Sequence, residues 1–355
     1  MQTRIENLQK LIKNDPSNFQ ARRELAILLA DIGFNQEALA NMQYLEKYFP
    51  NDDELLYNLG ILYEKLKNFE KAKQSYEKAI KISPQTDYYY NLGEVLINLE
   101  EWDNAIEAFK TVLKDDSEDS NCYFNIGLCY FHKEEKKLAI DNLQKAINLN
   151  PEDIYAYFYL GNIYQNDGLT NFAKENYEKV LSISPDYSWA YYNLASISYK
   201  NGNIEEAKDY LLKTIQNNNQ DYEAYKLLTK IYVKENEIEE IITILESKLE
   251  NEEIGDIYYI LGQVYKYIGN TIDYKNALKN ALENNLTLTY NKDIVKNELA
   301  RIDDNLKSNE IDEYNLSESD EDVFFDEDTE DQYDSDDFEE NDDNEFDTDD
   351  DEEEI

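Results

Sequence analysis

Tyr57-Asn58-Leu59-Gly60 and Tyr90-Asn91-Leu92-Gly93 are almost the same four residues, and related text recurs along the chain. The further copies are Phe124-Asn125-Ile126-Gly127, Phe158-Tyr159-Leu160-Gly161, Tyr192-Asn193-Leu194-Ala195 and Tyr259-Ile260-Leu261-Gly262. Neighbouring copies start 33 or 34 residues apart, except the last, which starts 67 residues after its predecessor. Because self-similarity at a fixed period indicates a repeat architecture, the sequence predicts a chain of repeated units.

The five prolines of the chain follow the same period. Pro16, Pro50 and Pro84 are 34 residues apart, Pro151 lies 67 residues beyond Pro84, and Pro185 follows after another 34. Proline has no backbone N–H and keeps the residue before it out of helical geometry. A proline that recurs at one phase of the repeat therefore predicts the end of a helix in each period.

Each period also contains a second apolar pattern after the first. Alanines follow the small residues at a regular distance, at Ala38, Ala72, Ala105, Ala139, Ala173 and Ala207. Large apolar residues follow these alanines at helical spacing, so each period is predicted to be two amphipathic helices. Between the two helices stand Gly33, Gly168, Gly202 and Gly269, where a left-handed residue can close the first helix.

These repeated residues resemble the tetratricopeptide repeat family, and the resemblance covers residues 1–306. It implies an all-α fold, a right-handed superhelical α-solenoid of about eight helix-turn-helix repeats. The predicted parts are a capping half repeat at 1–18, eight repeats at 19–287, a capping helix at 288–308 and an acidic tail at 309–355. In this pattern the small residue and the alanine lie where two helices approach, and a larger side chain there costs about 1–3 kcal/mol.

The pattern weakens in repeats seven (222–254) and eight (255–287). Thr229 and Ile241 occupy the glycine and alanine positions of repeat seven, and Tyr274 occupies the alanine position of repeat eight. We therefore expect looser or differently angled helix packing in these two repeats.

The resemblance implies that a ligand lies along a concave surface lined by the first helix of each repeat. The residue three before each small residue faces this surface in the family, and here the row reads Arg23, Tyr57, Tyr90, Phe124, Phe158, Tyr192, Lys226 and Tyr259. The next position gives Asn58, Asn91, Asn125 and Asn193, whose amides can both donate to and accept from a peptide backbone. Repeats four to six add Phe131, Tyr155, Tyr159, Trp189 and Tyr199 as large inward candidates.

These rows predict a protein–protein interaction scaffold that binds an extended peptide or a partner protein in the groove. The alternative is an ordinary solvated repeat surface, because tyrosine is abundant throughout the chain, with 31 of 355 residues. Lys226, Lys230, Lys234 and Lys266 form a predicted basic streak on the inner face of repeats seven and eight, which suits an acidic peptide.

The end of the chain has a different composition. After Lys307 there is no Lys or Arg, and residues 310–354 hold 27 of the 78 acidic residues. Such a segment cannot bury enough apolar surface to fold, so we expect it to be disordered. Its predicted hydrophobic anchors are Phe324, Phe325, Tyr333, Phe338 and Phe346.

Three functions of the acidic tail stay open. The tail could only keep the protein in solution, or it could bind basic proteins as histone chaperones do, with aromatic anchors among the acids. It could also contact the basic streak within the same molecule, because tethering raises its local concentration into the millimolar range.

Composition and motifs argue against other classes of function. The formal net charge of −44 disfavours direct nucleic-acid binding. No apolar run approaches the ~20 residues of a membrane span, and residues 1–16 lack the apolar centre of a signal peptide, so a cytosolic or nuclear protein is expected. Cys122, Cys129 and His132 could hold a metal in principle, but we expect two buried cysteines and a surface histidine. No catalytic motif stands out, which predicts a non-enzyme without a cofactor.

Overall fold

The computed structural model describes residues 2–307, with side chains for residues 2–302. The described residues form eighteen α-helices, which confirms the predicted all-α fold of helix pairs. The chain divides into two compact units between Asn219 and Gln220.

The first unit contains one leading helix followed by six helix pairs. Its helices are α1 (Gln2–Asn14), α2 (Phe19–Asp31), α3 (Asn35–Glu46), α4 (Asp53–Lys65), α5 (Phe69–Ile82), α6 (Thr86–Asn98), α7 (Trp102–Asp115), α8 (Ser120–His132), α9 (Lys136–Leu149), α10 (Ile154–Asn166), α11 (Thr170–Ile183), α12 (Ser188–Lys200) and α13 (Ile204–Asn217).

The second unit contains two helix pairs and a final helix. Its helices are α14 (Tyr222–Lys234), α15 (Ile238–Leu249), α16 (Gly255–Tyr267), α17 (Thr271–Glu283) and α18 (Lys292–Lys307). The pairs from α2 and α3 to α16 and α17 are called repeats one to eight below. Pro16 lies between α1 and α2, and each of the other four prolines lies between the second helix of one repeat and the first helix of the next.

Acidic or amide side chains cap the amino ends of many first helices. Asp52 Oδ1 accepts the Leu55 N–H at 2.9 Å, and Asp153 Oδ1 accepts the Ala156 N–H at 3.0 Å. Asn18, Asp119 and Asp221 cap α2, α8 and α14 in the same way. Each cap satisfies a backbone donor that has no partner inside the helix, and so fixes where the first helix begins.

A left-handed residue closes the first helix of every repeat. Gly33, Gly168, Gly202 and Gly269 have φ between +71° and +81°, which confirms the predicted turns. Lys67, Glu100, Glu134 and Asn236 occupy the same position in the other four repeats, with φ between 54° and 61°. The residue after each one donates its N–H to a carbonyl five residues back, as Glu135 does to Tyr130 at 2.9 Å. The turn geometry is therefore set by the repeat and not by the residue type.

The small residue of the first helix lies against the second helix, as predicted. A Cβ atom at Gly161 would stand 2.5 Å from Tyr177 Cε1, and one at Gly93 would stand 2.6 Å from Phe109 Cζ. The alanine position that recurs in the second helices is buried as well, at Ala105 and Ala173. The close neighbour of the glycine, however, is the large apolar residue 16 positions later.

Repeat eight packs less tightly at this glycine. A Cβ atom at Gly262 would lie 3.4 Å from Ala277 Cβ and 3.6 Å from Tyr274, which is ordinary van der Waals distance. In repeat seven the buried Thr229 donates its hydroxyl to the Tyr225 carbonyl at 2.8 Å. The looser packing expected for repeat eight is thus present at its glycine.

A polar contact holds the amino end of α16 to the loop that follows α17. The buried carboxylate of Asp256 accepts the Thr289 N–H at 2.7 Å and the Thr289 hydroxyl at 2.9 Å. The Gly255 N–H donates to Thr287 Oγ1 at 2.8 Å. Burial raises the pKa of Asp256, and the bonds from Thr289 counteract part of that rise. We call this contact the Asp256 lock.

Candidate functional site

A cleft of about 370 Å³ opens on first helices in the first unit, with walls from α6, α8 and the start of α10. Tyr90, Phe124 and Tyr155 supply its aromatic surface. The ring centroid of Phe124 lies 6.3 Å from that of Tyr155 and 5.9 Å from that of Tyr159. Tyr155 is 46% exposed, which makes it the most accessible ring of this surface.

Amide and carboxylate side chains surround the aromatic surface. The amides are Asn121, Asn125 and Asn150, and the carboxylates are Glu94, Glu152 and Asp153. Glu94 projects from α6, whereas Glu152 and Asp153 precede α10, so negative charge comes from two separate elements. With Ile154 these complete the ten lining residues, and none of the ten is Lys, Arg or His.

Burial changes the proton affinities of groups in the cleft. Burial raises the pKa of Asp153, although the N–H groups of Ala156 and Tyr155 counteract part of the rise. The pKa of Tyr90 is also raised, first by burial and then by the nearby charge of Glu94. The Tyr90 phenol therefore stays neutral at physiological pH and acts as a hydrogen-bonding group.

The structure brings four of the predicted inward residues into this cleft, namely Tyr90, Phe124 and Asn125 of the two rows and the further candidate Tyr155. Two others lie beside each other in repeats two and three, where Asn91 Nδ2 donates to the Tyr57 hydroxyl at 3.1 Å. Tyr57 also stacks on Tyr88 with ring centroids 4.5 Å apart. Asn58 is half-buried on α4, outside the lining of the cleft.

Apart from the exposed Tyr155, five predicted residues of repeats five and six have little surface to offer a ligand. Phe158, Tyr159, Tyr192 and Asn193 are buried, the last with 7% exposure, and Trp189 is half-buried. Phe158 packs between Tyr177 and Tyr187, with centroids 5.8 and 5.4 Å away. These side chains contribute to packing in the structure, and a ligand-binding role for them stays a prediction.

Models of one protein family match most of the first unit and the start of the second. Four family models match, and each is described as tetratricopeptide repeat. One model matches residues 54–85 and 120–153, and the other three match residues 86–118, 142–172 and 167–231. The chain is a tetratricopeptide repeat protein. Members of this family generally act as protein–protein interaction scaffolds, bind protein or peptide partners and are typically non-catalytic. No curated protein sequence matches the chain.

Several solved structures resemble parts of this tetratricopeptide repeat protein. MamA from Desulfovibrio magneticus RS-1 is 25% identical, with 48% of this chain and 97% of that chain covered and a TM-score of 0.46. YrrB, described as a TPR protein with an unusual peptide-binding site, is 25% identical, with 52% and 95% covered and a TM-score of 0.42. PilW, a type IV pilus biogenesis factor, is 20% identical, with 57% and 94% covered and a TM-score of 0.50, which shows the fold alone.

The predicted basic streak of this tetratricopeptide repeat protein lies on α14 and α16. Lys226 Nζ is 3.6 Å from a Glu223 oxygen, and Lys266 Nζ is 3.9 Å from a Glu298 oxygen. Lys230 is half-buried and Lys234 is exposed. Two of the four charges are therefore already near carboxylates of their own unit, and binding of an acidic segment to this streak stays a prediction.

Sequence reasoning missed the polar part of the cleft. Asn150, Glu152 and Asp153 flank Pro151 in the connection between repeats four and five, where the repeat pattern places no ligand contact. The only available signal was register, because Asn121 and Tyr155 both stand six residues before the small residue of their first helix. That position points to the same side of the helix as the aromatic row.

The two cysteines are buried between helices, as predicted. Burial raises the pKa of Cys129 to about 12. His132 is half-exposed and stacks on Trp102, with ring centroids 4.6 Å apart. In the part of the chain that the structure describes, no group of three or more His, Cys, Asp or Glu has the geometry to hold a metal ion.

Two further predictions concern membranes and the tail. Among the helices of residues 2–307, none has both the length and the apolar character to cross a membrane. The acidic tail at 309–355, with its predicted anchors Phe324, Phe325, Tyr333, Phe338 and Phe346, lies outside the described residues.

Proposed function

We propose that this protein is an interaction scaffold that binds a segment of a partner protein in the cleft of α6, α8 and α10. The observation that carries the proposal is the combination of an exposed ring, Tyr155, with amide groups along one open cleft. Aromatic anchors with polar groups around them are typical of protein interfaces, and amides can pair with the backbone of an extended segment. The general role of the family as interaction scaffolds supports the same reading.

Substitution of the exposed ring tests this proposal. We expect Tyr155→Ala to bind fewer partner proteins, because it removes the anchor while leaving the buried helix contacts in place. The matched control is Phe172→Ala, since Phe172 is 54% exposed on the second helix α11 and does not line the cleft. Both variants and the wild-type full chain are used to capture proteins from the source cells, with quantitative mass spectrometry as the readout.

The supporting result is a set of proteins retained by wild type and Phe172→Ala but depleted with Tyr155→Ala. Equal capture by wild type, Phe172→Ala, Tyr155→Ala and the second cleft variant Asn125→Ala would contradict the proposal. Thermal melts followed by circular dichroism check that Tyr155→Ala folds, and Asn125→Ala, on the same cleft, provides a second variant.

A second candidate function rests on the sequence of the tail. Its 27 acidic residues among aromatic anchors suit a basic protein surface, so the full chain is expected to bind a histone octamer with a strong salt dependence. A chain that ends at Lys307 tests this candidate in the same titration. Unchanged octamer affinity of the shortened chain would exclude the tail as the binding segment.

A further inference from the structure

We propose that the cleft accepts a cationic side chain, Lys or Arg, of the partner segment. This inference rests on the proposed function and specifies its ligand. Three carboxylates and no basic residue line the cleft, so its electrostatic potential favours positive charge. Glu94 on α6 faces the same space as Glu152 and Asp153 before α10, so a cation between the two elements meets carboxylates from both.

The aromatic surface suits the same ligand. A Lys ammonium or Arg guanidinium within about 6 Å of a ring centroid is attracted to the ring face. Tyr155 and Phe124 offer such faces, and the apolar stem of a Lys or Arg can lie along them while its charged end reaches the carboxylates. Neutral or acidic side chains would gain only part of these contacts.

Some other carboxylates of the first unit make ion pairs with the protein's own lysines. Lys133 pairs with Asp103 at 2.6 Å, and Lys174 pairs with Glu206 at 2.9 Å, each across neighbouring repeats. Within residues 2–302, neither Glu152 nor Asp153 makes such an ion pair. The charges of these two carboxylates are therefore not neutralised by a lysine or arginine of the described residues, which leaves them available to a cation of the partner segment.

The size of the cleft and the charge of the tail narrow the choice of occupant. A volume of about 370 Å³ lies at the low end of ligand pockets, about 300–1,000 Å³, and fits one or two side chains. The chain's own tail carries the same sign of charge as the cleft and is repelled by it. The occupant is a basic segment of another protein.

The test compares two peptides that differ only in charge. One is a fluorescein-labelled twelve-residue peptide with two arginines among Gly, Ser and Ala, and its twin carries citrulline in place of arginine. We expect the full-length protein to bind the arginine peptide about tenfold more tightly in fluorescence anisotropy titrations, and less so at high salt.

Variants locate this preference within the molecule. Glu94→Gln with Glu152→Gln removes two charges from the cleft and keeps the Asp153 helix cap, so we expect most of the tenfold preference to be lost. The control, Asp141→Asn with Glu175→Gln, removes two charges from exposed sites on second helices and keeps the preference. Every chain retains the tail, so the difference between the two double variants isolates the cleft.

Equal affinities for the two peptides, or equal losses in the two double variants, would overturn the cationic assignment. The proposed function has a separate failure, because it fails only when Tyr155→Ala and Asn125→Ala capture the same partners as wild type. Loss of captured partners together with equal peptide affinities would leave the cleft as a binding site and exclude a cation as its ligand.

Discussion

Repeat four in the first unit and repeat eight in the second contain the same glycine and the same leucine, yet they pack differently. A Cβ atom at Gly127 would lie 2.8 Å from Leu143 Cγ, whereas one at Gly262 would lie 3.7 Å from the corresponding Leu278. The two repeats differ at the alanine position of the second helix, which is occupied by Ala139 in repeat four and by Tyr274 in repeat eight. The comparison indicates that the residue at the alanine position, and not the glycine alone, determines how closely side chains of the second helix crowd the glycine.

The largest predicted effect comes from adding one methyl group at the glycine. Gly161→Ala forces a Cβ atom to within 2.5 Å of the Tyr177 ring and should lower the free energy of unfolding by about 3 kcal/mol. Gly262→Ala meets only ordinary contacts, so the better helix propensity of alanine should leave stability unchanged or raise it by up to about 1 kcal/mol.

The two tryptophans make this prediction measurable for each unit. Trp102 and Trp189 both lie in the first unit, so tryptophan fluorescence in urea reports the effect of Gly161→Ala. Hydrogen exchange of peptides from α16 reports the effect of Gly262→Ala. Equal destabilisation by the two substitutions would contradict the proposed difference in packing.

The second prediction concerns what stabilises repeat eight instead. Asp256→Ala removes a buried carboxylate that accepts two hydrogen bonds from Thr289, so we expect a loss of about 2 kcal/mol. Thr289→Val keeps the backbone bond and removes only the hydroxyl, so its loss should be about 1 kcal/mol.

Hydrogen exchange again measures the response of the second unit separately from that of the first. Exchange should accelerate in α16 and in residues 284–291 in both Asp256 and Thr289 variants, with the larger change for Asp256→Ala. Unchanged exchange in these segments would show that the Asp256 lock does not stabilise the second unit.

The repeat and its turns were predictable from the sequence because both depend on local chemistry. Proline and glycine restrict or permit backbone angles wherever they stand, so Pro151 and Gly168 mark helix ends without reference to the rest of the molecule. The left-handed Glu134 gave no such signal through its residue type. Only its position, 34 residues before Gly168, predicts its backbone conformation.

The candidate site was predictable only in part because accessibility depends on neighbouring helices. Register places Phe124 and Phe158 on the same side of successive first helices, but Phe124 lines an open cleft and Phe158 is buried against Tyr177 and Tyr187. The carboxylates Glu152 and Asp153 come from a connection, whose path a helical period does not describe. Contacts with the second helix and with the connections between repeats, which the helical period does not describe, decide these differences.

The third prediction uses the turns to compare the units. Glu134→Gly in the first unit relieves an unfavourable left-handed conformation and should raise the free energy of unfolding by about 1 kcal/mol. Asn236→Gly in the second unit should gain only a few tenths of a kcal/mol, about a third as much, because asparagine tolerates this conformation better.

Gly168→Ala provides the opposite change at an equivalent turn. A Cβ atom there meets no neighbour, so its expected loss of about 1 kcal/mol comes from backbone strain alone. Urea unfolding followed by fluorescence measures both first-unit variants, and a stabilising Gly168→Ala would contradict this account of the turns.

The smallest effect should be one that both units share. Burial raises the pKa of Glu64 in the first unit, where its carboxylate accepts the Tyr76 hydroxyl at 2.7 Å, and burial likewise raises the pKa of Glu298 in the second. Each folded unit therefore holds a proton more tightly than the unfolded chain does. Stability should fall as pH rises from the unfolded carboxylate pKa of about 4.3 through the raised folded value, and should then level off.

Neutral variants separate this titration from the general repulsion of an acidic chain. Glu64→Gln keeps an acceptor for Tyr76 but cannot titrate, so the fluorescence-detected free energy of unfolding should depend less on pH between about 4.5 and 7 than in wild type. Glu298→Gln should leave that slope unchanged, because its unit contains neither tryptophan. If Glu64→Gln shows the wild-type slope, the pH response comes from surface charge, and the buried carboxylates of the two units do not contribute to it.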